Sequence, residues 1–480
     1  MQVSLPISTS ALPKSGLTDD ERAIVARLDA KLSARSPMLR LSEAYYLGEQ
    51  VIDNLRIAVP KELEFLRTIV GWPALAVDPY VERLSIDGFR LRGATDADES
   101  LGDLADEIGL GSLLPLAVTD ALSLGRGYWL VGSPRESGAA PDVTVESPLN
   151  VAVDWDLRGT TAKAVWQRYQ QAGRAHAALL RPRKTIEFAA NDAGEWEVVG
   201  VDEHDLDFVP IVRMPHMPRS NARGGRSAII PALRSATDSA CRDLLSLEIA
   251  REIYSVPGIT LLGAAESAFQ NSDGTAKSAF EAYITRFRAL ERDEDGQLPE
   301  IHQQQVYDPA TFTKLIDMRA SQVASMVAAP PQDLGLYTQG NPTSADSADV
   351  MEKRRNRRAK LMQKPFGASV VELMHTVLRF ENAGDLPEQY RRMVADWEDV
   401  DEVSMGTASD GLSKQVAAGM IPATSDVTLK RAGYSAVERQ RLARDRSADD
   451  NRNLTRALVN GLVPTQQTPQ EPTSGDAAGI

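Results

Sequence analysis

Residues 343–381 read TSADSADVMEKRRNRRAKLMQKPFGASVVELMHTVLRFE, the longest helical pattern in the chain. As one straight helix it would be about 57 Å long at roughly 1.5 Å per residue. Pro365 sits inside it with Gly367 two residues on, and a helix that continues through proline is expected to kink there. Upstream of the proline, Lys353, Arg354, Arg355, Arg357, Arg358 and Lys360 stand against the single acid Glu352, a net +5 within nine positions. On a helix these positions wrap nearly the whole circumference, so some must face a partner. Two readings stay open: a phosphate-facing or subunit-bridging surface, and a solvated helix satisfied by intersubunit carboxylates.

Outward from this stretch the chain alternates helix and strand. Pro330-Pro331 stops a preceding helix over 309–328 and opens a loop through Gly335, Gly340 and Pro342. Another helix is expected over 231–254, where Leu233, Ala236, Ala240, Leu244 and Leu247 recur at spacings of three and four, ended by Pro257-Gly258. Between these two lie a helix near 277–292 and a polar loop over 293–299. From Tyr128 to Met214, short β-branched and aromatic runs (YWLV, DVTVES, KAVWQRYQ, TIEFAA, EWEVVGV, FVPIVRM) separated by Gly and Asn-Asp predict an antiparallel meander. Trp129, Trp155, Trp166 and Trp196 are expected to pack that sheet. Near the N-terminus, Thr18 with Glu21 predicts a capping box opening a helix with Ile24, Leu28 and Leu32 on one stripe. Helix is also expected over 60–84, interrupted at Trp72-Pro73, and over 101–109 and 113–124. Three short helices are expected within 410–458, with Gly419 and Gly433 as C-terminal caps and Ser435 with Glu438 as a second capping box. The Pro-rich tail over 464–480 predicts disorder.

Composition narrows the function classes. The chain has 480 residues, which suggests about three compact units. It carries 53 Lys+Arg and 67 Asp+Glu, a net charge of 53 − 67 = −14. An acidic chain should bind nucleic acid poorly unless its charge is unevenly distributed, as the +5 stretch makes it. One cysteine, Cys241, excludes an internal disulfide framework and a Cys-based zinc cluster, and suits a reducing compartment. No apolar run approaches about 18 residues, so no membrane span is expected. The first residues lack the charged and apolar regions of a signal peptide.

Enzyme signatures are missing. There is no GxxxxGK[ST], HExxH or GxSxG, so no catalytic residue, cofactor or metal is expected. Asp202-Glu203-His204-Asp205 with Asp207 could hold a divalent ion through carboxylates, but reads more simply as a solvated turn. Cys241 reads as a packed thiol. Gly224-Gly225-Arg226-Ser227 before the 231–254 helix could present amides to an anion, with a tight turn as the default.

Taken in order, several motifs resemble one family. They are Tyr45-Tyr46-Leu47-Gly48-Glu49-Gln50; Trp72 with Val77-Asp78, Glu82-Arg83-Leu84 and Asp87-Gly88-Phe89-Arg90; Asp120-Ala121-Leu122 with Gly125-Arg126-Gly127-Tyr128-Trp129-Leu130-Val131; Gly225-Arg226-Ser227-Ala228-Ile229; and Pro330-Pro331-Gln332-Asp333-Leu334-Gly335 with Pro342-Thr343-Ser344-Ala345-Asp346-Ser347-Ala348. Over about residues 18–460 the chain resembles the portal proteins of tailed bacteriophages, particularly those infecting actinobacteria. It departs from them at Gly71, where Asn often precedes the Trp, and at Pro257-Gly258-Ile259, where relatives often carry Pro followed by Gln-Arg.

The resemblance implies an α+β portal fold with long stem helices, an antiparallel β-rich wing, a small clip and a helical crown. It implies a flexible N-terminus over 1–17 and a wing over 18–230, β-rich at 126–215. Stem helices would follow at 231–254 and 309–328, with the clip at 255–308 between them. A tunnel loop would occupy 329–343, with Gln332, Asp333, Leu334, Gly335, Tyr337, Gln339 and Asn341 as its candidates. The kinked helix and wing return would span 343–395 and the crown 396–463. The implied function is a ring, usually of twelve subunits, at one capsid vertex: the channel for DNA packaging and ejection. Implied partners are further copies of the chain, double-stranded viral DNA, the terminase large subunit, a head-completion or adaptor protein, and the major capsid and scaffolding proteins, with no membrane. The implied location is the virion, after assembly in the host cytoplasm. The alternatives are another structural or adaptor protein of the virion, or a DNA-processing hydrolase.

Overall fold

The computed structural model describes residues 13, 16–51, 67–94, 97–134, 136, 138–254, 259–262, 300–303, 310–335, 345–382, 384–400, 412–434 and 436–462. In chain order its elements begin with α1 (Asp19–Leu47), α2 (Asp78–Val81), β1 (Ile86–Leu91), α3 (Glu99–Glu107) and α4 (Leu110–Leu124). Eight strands follow: β2 (Arg126–Gly132), β3 (Asp142–Glu146), β4 (Val151–Trp155), β5 (Ala162–Gln171), β6 (Arg174–Arg181), β7 (Lys184–Ala190), β8 (Trp196–Glu203) and β9 (Ile211–Pro215). Then come α5 (Pro231–Tyr254), β10 (Ile259–Leu262), β11 (Glu300–Gln303), α6 (Ala310–Val327), α7 (Ala345–Glu381), β12 (Met393–Trp397), α8 (Asp426–Arg431) and α9 (Ala436–Leu462). They form two compact units, one of residues 1–85 with 104–392 and one of 86–103 with 393–480.

In the first unit α1 opens on the expected capping box. The Glu21 amide donates to the Thr18 hydroxyl at 3.2 Å, and the Thr18 amide donates to the Glu21 carboxylate at 2.9 Å. Gly48, at φ 71°, closes the helix. Its inner stripe, Val25, Leu28 and Leu32, packs on Ala152, Trp166, Leu179, Phe188 and Trp196, while Ile24 is only partly buried. The Trp166 ring meets Phe188 and Trp196 edge-on at 5.3 and 6.4 Å, and its indole N–H donates to the buried Asp29 at 2.9 Å. Arg168 closes an ion pair on the same carboxylate, so this buried acid is neutralised.

The expected single meander is two antiparallel sheets. One runs β4-β5-β6-β7-β8 and the other β3-β2-β9. β4 and β6 were not among the expected runs. β6, RAHAALLR, is rich in alanine, which strand propensity disfavours, and it is held by burial between β5 and β7. Asn191 and Gly194 make the β7–β8 turn, Gly194 at φ 79°. Trp129, Trp166 and Trp196 are buried in the sheets. Trp155 is half-buried beneath the Arg213 guanidinium, 4.3 Å from its ring centre.

α5, α6 and α7 fall within two residues of their expected bounds, and α7 runs on as helix through Pro365. β10 and β11, which lie between α5 and α6 in the chain, pair antiparallel with Ile259 opposite Gln303. Elsewhere the expected helices shorten or lengthen. In place of the helix expected over 60–84 stand a 3-10 turn at Ala74–Ala76 and the four-residue α2, and residues 60–66 lie outside those described. Also outside them are 1–12, the 277–292 helix with its 293–299 loop, Ser435 of the second capping box, and the 464–480 tail.

In the second unit β1 pairs antiparallel with β12, and Arg90 meets Asp396 at 2.7 Å across the ladder. Asp87 receives Lys430 at 3.0 Å and Arg439 at 3.3 Å, tying α8 and α9 to β1. Gly419 (φ 66°) and Gly433 (φ 90°) cap helices as expected, but α9, the last, is 27 residues long rather than short.

Candidate functional site

The long helices and the turn joining two of them hold most of the expected site residues. α5 and α6 pack side by side, with Arg319 of α6 3.9 Å from Asp243 of α5. α6 ends where Ala328 takes a left-handed φ of 60° and the Ala329 amide donates back to the Ala324 carbonyl at 3.1 Å. Pro330-Pro331 then prevents further helix. A 3-10 turn follows at Pro331–Leu334, closed by Gly335 at φ 76°. Gln332, Asp333, Leu334 and Gly335 thus form one compact turn, whereas Tyr337, Gln339 and Asn341 lie outside the described residues.

α7 sorts its basic cluster by helical period. Arg355 is 4% exposed and forms an ion pair with Asp333. Arg358 is half-buried, donating to the Met326 carbonyl at 3.1 Å and approaching the Tyr80 hydroxyl at 3.5 Å. That hydroxyl in turn donates to the Val327 carbonyl at 2.8 Å. Two of the six cations therefore hold the end of α6 and the following turn against α7. Lys353, Arg354, Arg357 and Lys360 are exposed. Lys353, Arg357 and Lys360, with the equally exposed Lys364, fall at i, i+4, i+7 and i+11, an outward stripe about 16 Å long. Lys364 lies beyond the densest charge run, and only helical phase assigns it to this face. Glu352 faces Arg83 at 3.6 Å.

A second basic surface was not anticipated. Arg27, Lys31 and Arg35 recur every four residues along α1, with Arg126 of β2, Arg213 of β9 and Arg223 nearby. Arg27 pairs with Asp154 at 2.6 Å. Lys31 donates to the Val153 carbonyl at 2.7 Å, and Arg213 to the Gly159 carbonyl at 2.9 Å. Burial, with Arg35 beside it, pushes the Lys31 ammonium down from its ordinary value. The spacing of four in α1 was readable in the sequence; its convergence with β2 and β9 is a product of the fold.

Among the described residues, the most perturbed carboxyl is Asp120 of α4. Burial pushes it up to about 7, and Glu43 of α1 and Glu146 of β3 add like-charge repulsion. Glu43 and Glu146 are themselves raised by burial, and the Thr144 hydroxyl donates to Glu146 at 2.9 Å.

The remaining candidates resolve into packing. Gly224 and Gly225 form the tight turn: a Cβ on Gly225 would fall on the Gly125 carbonyl and 2.8 Å from the His216 backbone. Ser227 donates to the Ser123 carbonyl at 2.6 Å and accepts from the Ile229 amide at 2.9 Å. His204 stands 3.4 Å from the Thr185 hydroxyl in the turn after β8. Cys241 is buried on α5, and burial pushes its thiol up. Among the described residues, no group of three or more His, Cys, Asp or Glu is arranged to hold a metal ion. No single described helix is long and apolar enough to cross a membrane.

The family model described as "Phage portal protein, SPP1 Gp6-like" matches residues 26–429. The chain is 31% identical over 415 residues to the portal protein of Mycobacterium phage D29, covering 85% of this chain and 84% of that one. It is 29% identical over 445 residues to the portal protein of Mycobacterium phage L5, covering 91% and 90%. Among solved structures it is similar, at TM-score 0.40 and 14% identity, to a chain of the "Neck of native GTA particle computed with C12 symmetry", covering 75% of this chain and 88% of that one. With a family model spanning most of its length and relatives matched nearly end to end, the chain belongs to the SPP1 Gp6-like phage portal proteins, structural components of the virion capsid.

Proposed function

We propose that copies of this chain close into a ring, dodecameric as in the family's usual form, at one capsid vertex, and that DNA passes through its centre during packaging and ejection. The observation that carries this reading, within a portal-family chain, is the succession α5, β10, β11, α6: two long helices packed side by side, with a small strand pair between them in the chain. The helices at 231–254 and 309–328 act as the stem. The 255–308 segment acts as the clip on which the terminase large subunit and then a head-completion or adaptor protein dock. The 18–230 region with its two sheets is the wing, and the 396–463 region is the crown, in contact with the capsid interior and its scaffolding and major capsid proteins. The 329–343 segment is the tunnel loop, and Pro365 bends the long helix as it returns through 343–395 toward the crown. The exposed cations of α7 meet DNA or a neighbouring subunit. Assembly takes place in the host cytoplasm, without a membrane.

Electron microscopy of the purified chain tests the assembly. Rings with a central hole wide enough for a DNA duplex are expected. A monodisperse monomer at every salt concentration tried would overturn the reading.

A further inference from the structure

The residue after β9, His216, is 3% exposed. Its Nδ1 lies 2.7 Å from the Arg226 carbonyl oxygen, which can only accept, so Nδ1 carries the ring proton. Burial, reinforced by the nearby Arg226 and Arg358 cations, pushes the imidazole down to about 4, so the ring is neutral near neutral pH and its other nitrogen is an acceptor. That nitrogen, Nε2, is buried and has no hydrogen-bond partner among the described residues. An unsatisfied buried acceptor is costly, and a bound ion or water is one reason such a group is kept.

His216 lines a cavity of about 110 Å³ together with Tyr80, Arg226, Leu233, Met326 and Arg358. A single water needs roughly 10–15 Å³ by the same measure, so the space holds several waters or one polyatomic ion. No Asp or Glu is among its described lining residues. Among the described residues neither arginine forms a salt bridge. The Arg226 side chain approaches the Met217 sulfur at 3.8 Å, while Arg358 reaches the Met326 carbonyl and the Tyr80 hydroxyl. Two arginines thus line one cavity, neither in a salt bridge among the described residues, beside a nitrogen that needs a donor.

We infer that this cavity binds a protonated tetrahedral oxyanion, inorganic phosphate in its hydrogen-phosphate form. The guanidinium groups donate to the anion's bare oxygens, the geometry for which arginine is suited. The phosphate's own O–H donates to His216 Nε2. Sulfate has the same shape but carries no proton at neutral pH, so it would set an oxygen lone pair against the nitrogen lone pair. A DNA phosphodiester lacks the proton too, so the site selects free phosphate over the nucleic-acid backbone.

Isothermal titration of the full chain in chloride buffer at neutral pH tests this, with inorganic phosphate, sulfate and a short DNA duplex as separate titrants at matched ionic strength. One phosphate per chain is expected, with sulfate at least about tenfold weaker. Arg358→Gln should weaken phosphate but could also loosen the end of α6. Arg226→Gln is therefore the decisive variant: its side chain is exposed, and phosphate affinity should fall at least about tenfold with an unchanged melting temperature in phosphate-free buffer. Absent or non-saturable phosphate binding would overturn the proposal. So would sulfate binding as tightly as phosphate, displacement of phosphate by the duplex, or an Arg226→Gln variant that binds phosphate normally.

Discussion

Arg355 and Arg357 stand two positions apart on α7 and meet opposite environments. Arg355 is enclosed against Asp333, while Arg357 points to solvent. The sequence showed that both were charged, but not which would be enclosed, because that depends on where the 331–335 turn lies against α7. The same limit hid Asp120, one acid among 67 until α1, α4 and β3 bring Glu43 and Glu146 beside it. Asp120 titrates near 7 in the folded chain and near its ordinary 3.8 when unfolded. The folded state therefore keeps a proton that the unfolded chain has lost, and this contribution to stability, complete below the ordinary value, declines as pH rises through 7. Urea midpoints should fall between mildly acidic and mildly alkaline pH. Asp120→Asn should flatten that profile and be more stable on the alkaline side by on the order of 2 kcal/mol, less than full linkage because the carboxyl is partly accessible. Identical pH profiles for the two proteins would refute this.

At the scale of elements, legibility followed the strength of local signals. The capping box at Thr18, the spacing-three-and-four repeat of α5 and the prolines after α6 are local chemistry, and the structure keeps all three. β6 depends on its neighbours rather than on its own residues, and the division of the strands into two sheets is a property of pairing, to which composition is blind. The Gly224-Gly225 turn lies between these cases. Its glycines signalled a tight turn, but the contact that demands them, with Gly125 and His216, comes from elsewhere in the chain. Gly225, at φ 80°, has neither the space nor the backbone conformation for a Cβ. Gly225→Ala should therefore cost more than about 4 kcal/mol, seen as insoluble expression or a collapsed urea midpoint. A soluble variant with an unchanged midpoint would show that the turn can open.

For the whole molecule, if DNA threads a ring as proposed, a net charge of −14 argues against gripping it rather than against meeting it, because tight phosphate pairing would arrest a sliding polyanion. The outward stripe of α7 is the local exception. Changing Lys353, Arg357, Lys360 and Lys364 together to Gln should leave single-chain stability within about 0.5 kcal/mol. It should nonetheless lower the salt concentration at which rings dissociate or shorten the packaged DNA. Arg355→Ala should show the opposite profile, losing about 2 kcal/mol of stability because Asp333 is left behind, one-third exposed. Normal rings and full-length packaged DNA in the four-Gln variant would remove the stripe from the functional surface. The β1–β12 ladder also sets a timetable for synthesis. Arg90 finds Asp396 306 residues further along the chain. At about 5–20 residues per second, a ribosome needs roughly 15–60 s to travel between them. For that interval the nascent β1 has exposed pairing groups with no strand to receive them. A chain whose translation stalls before β12 is therefore left with an open β1 edge, a template for pairing with another strand.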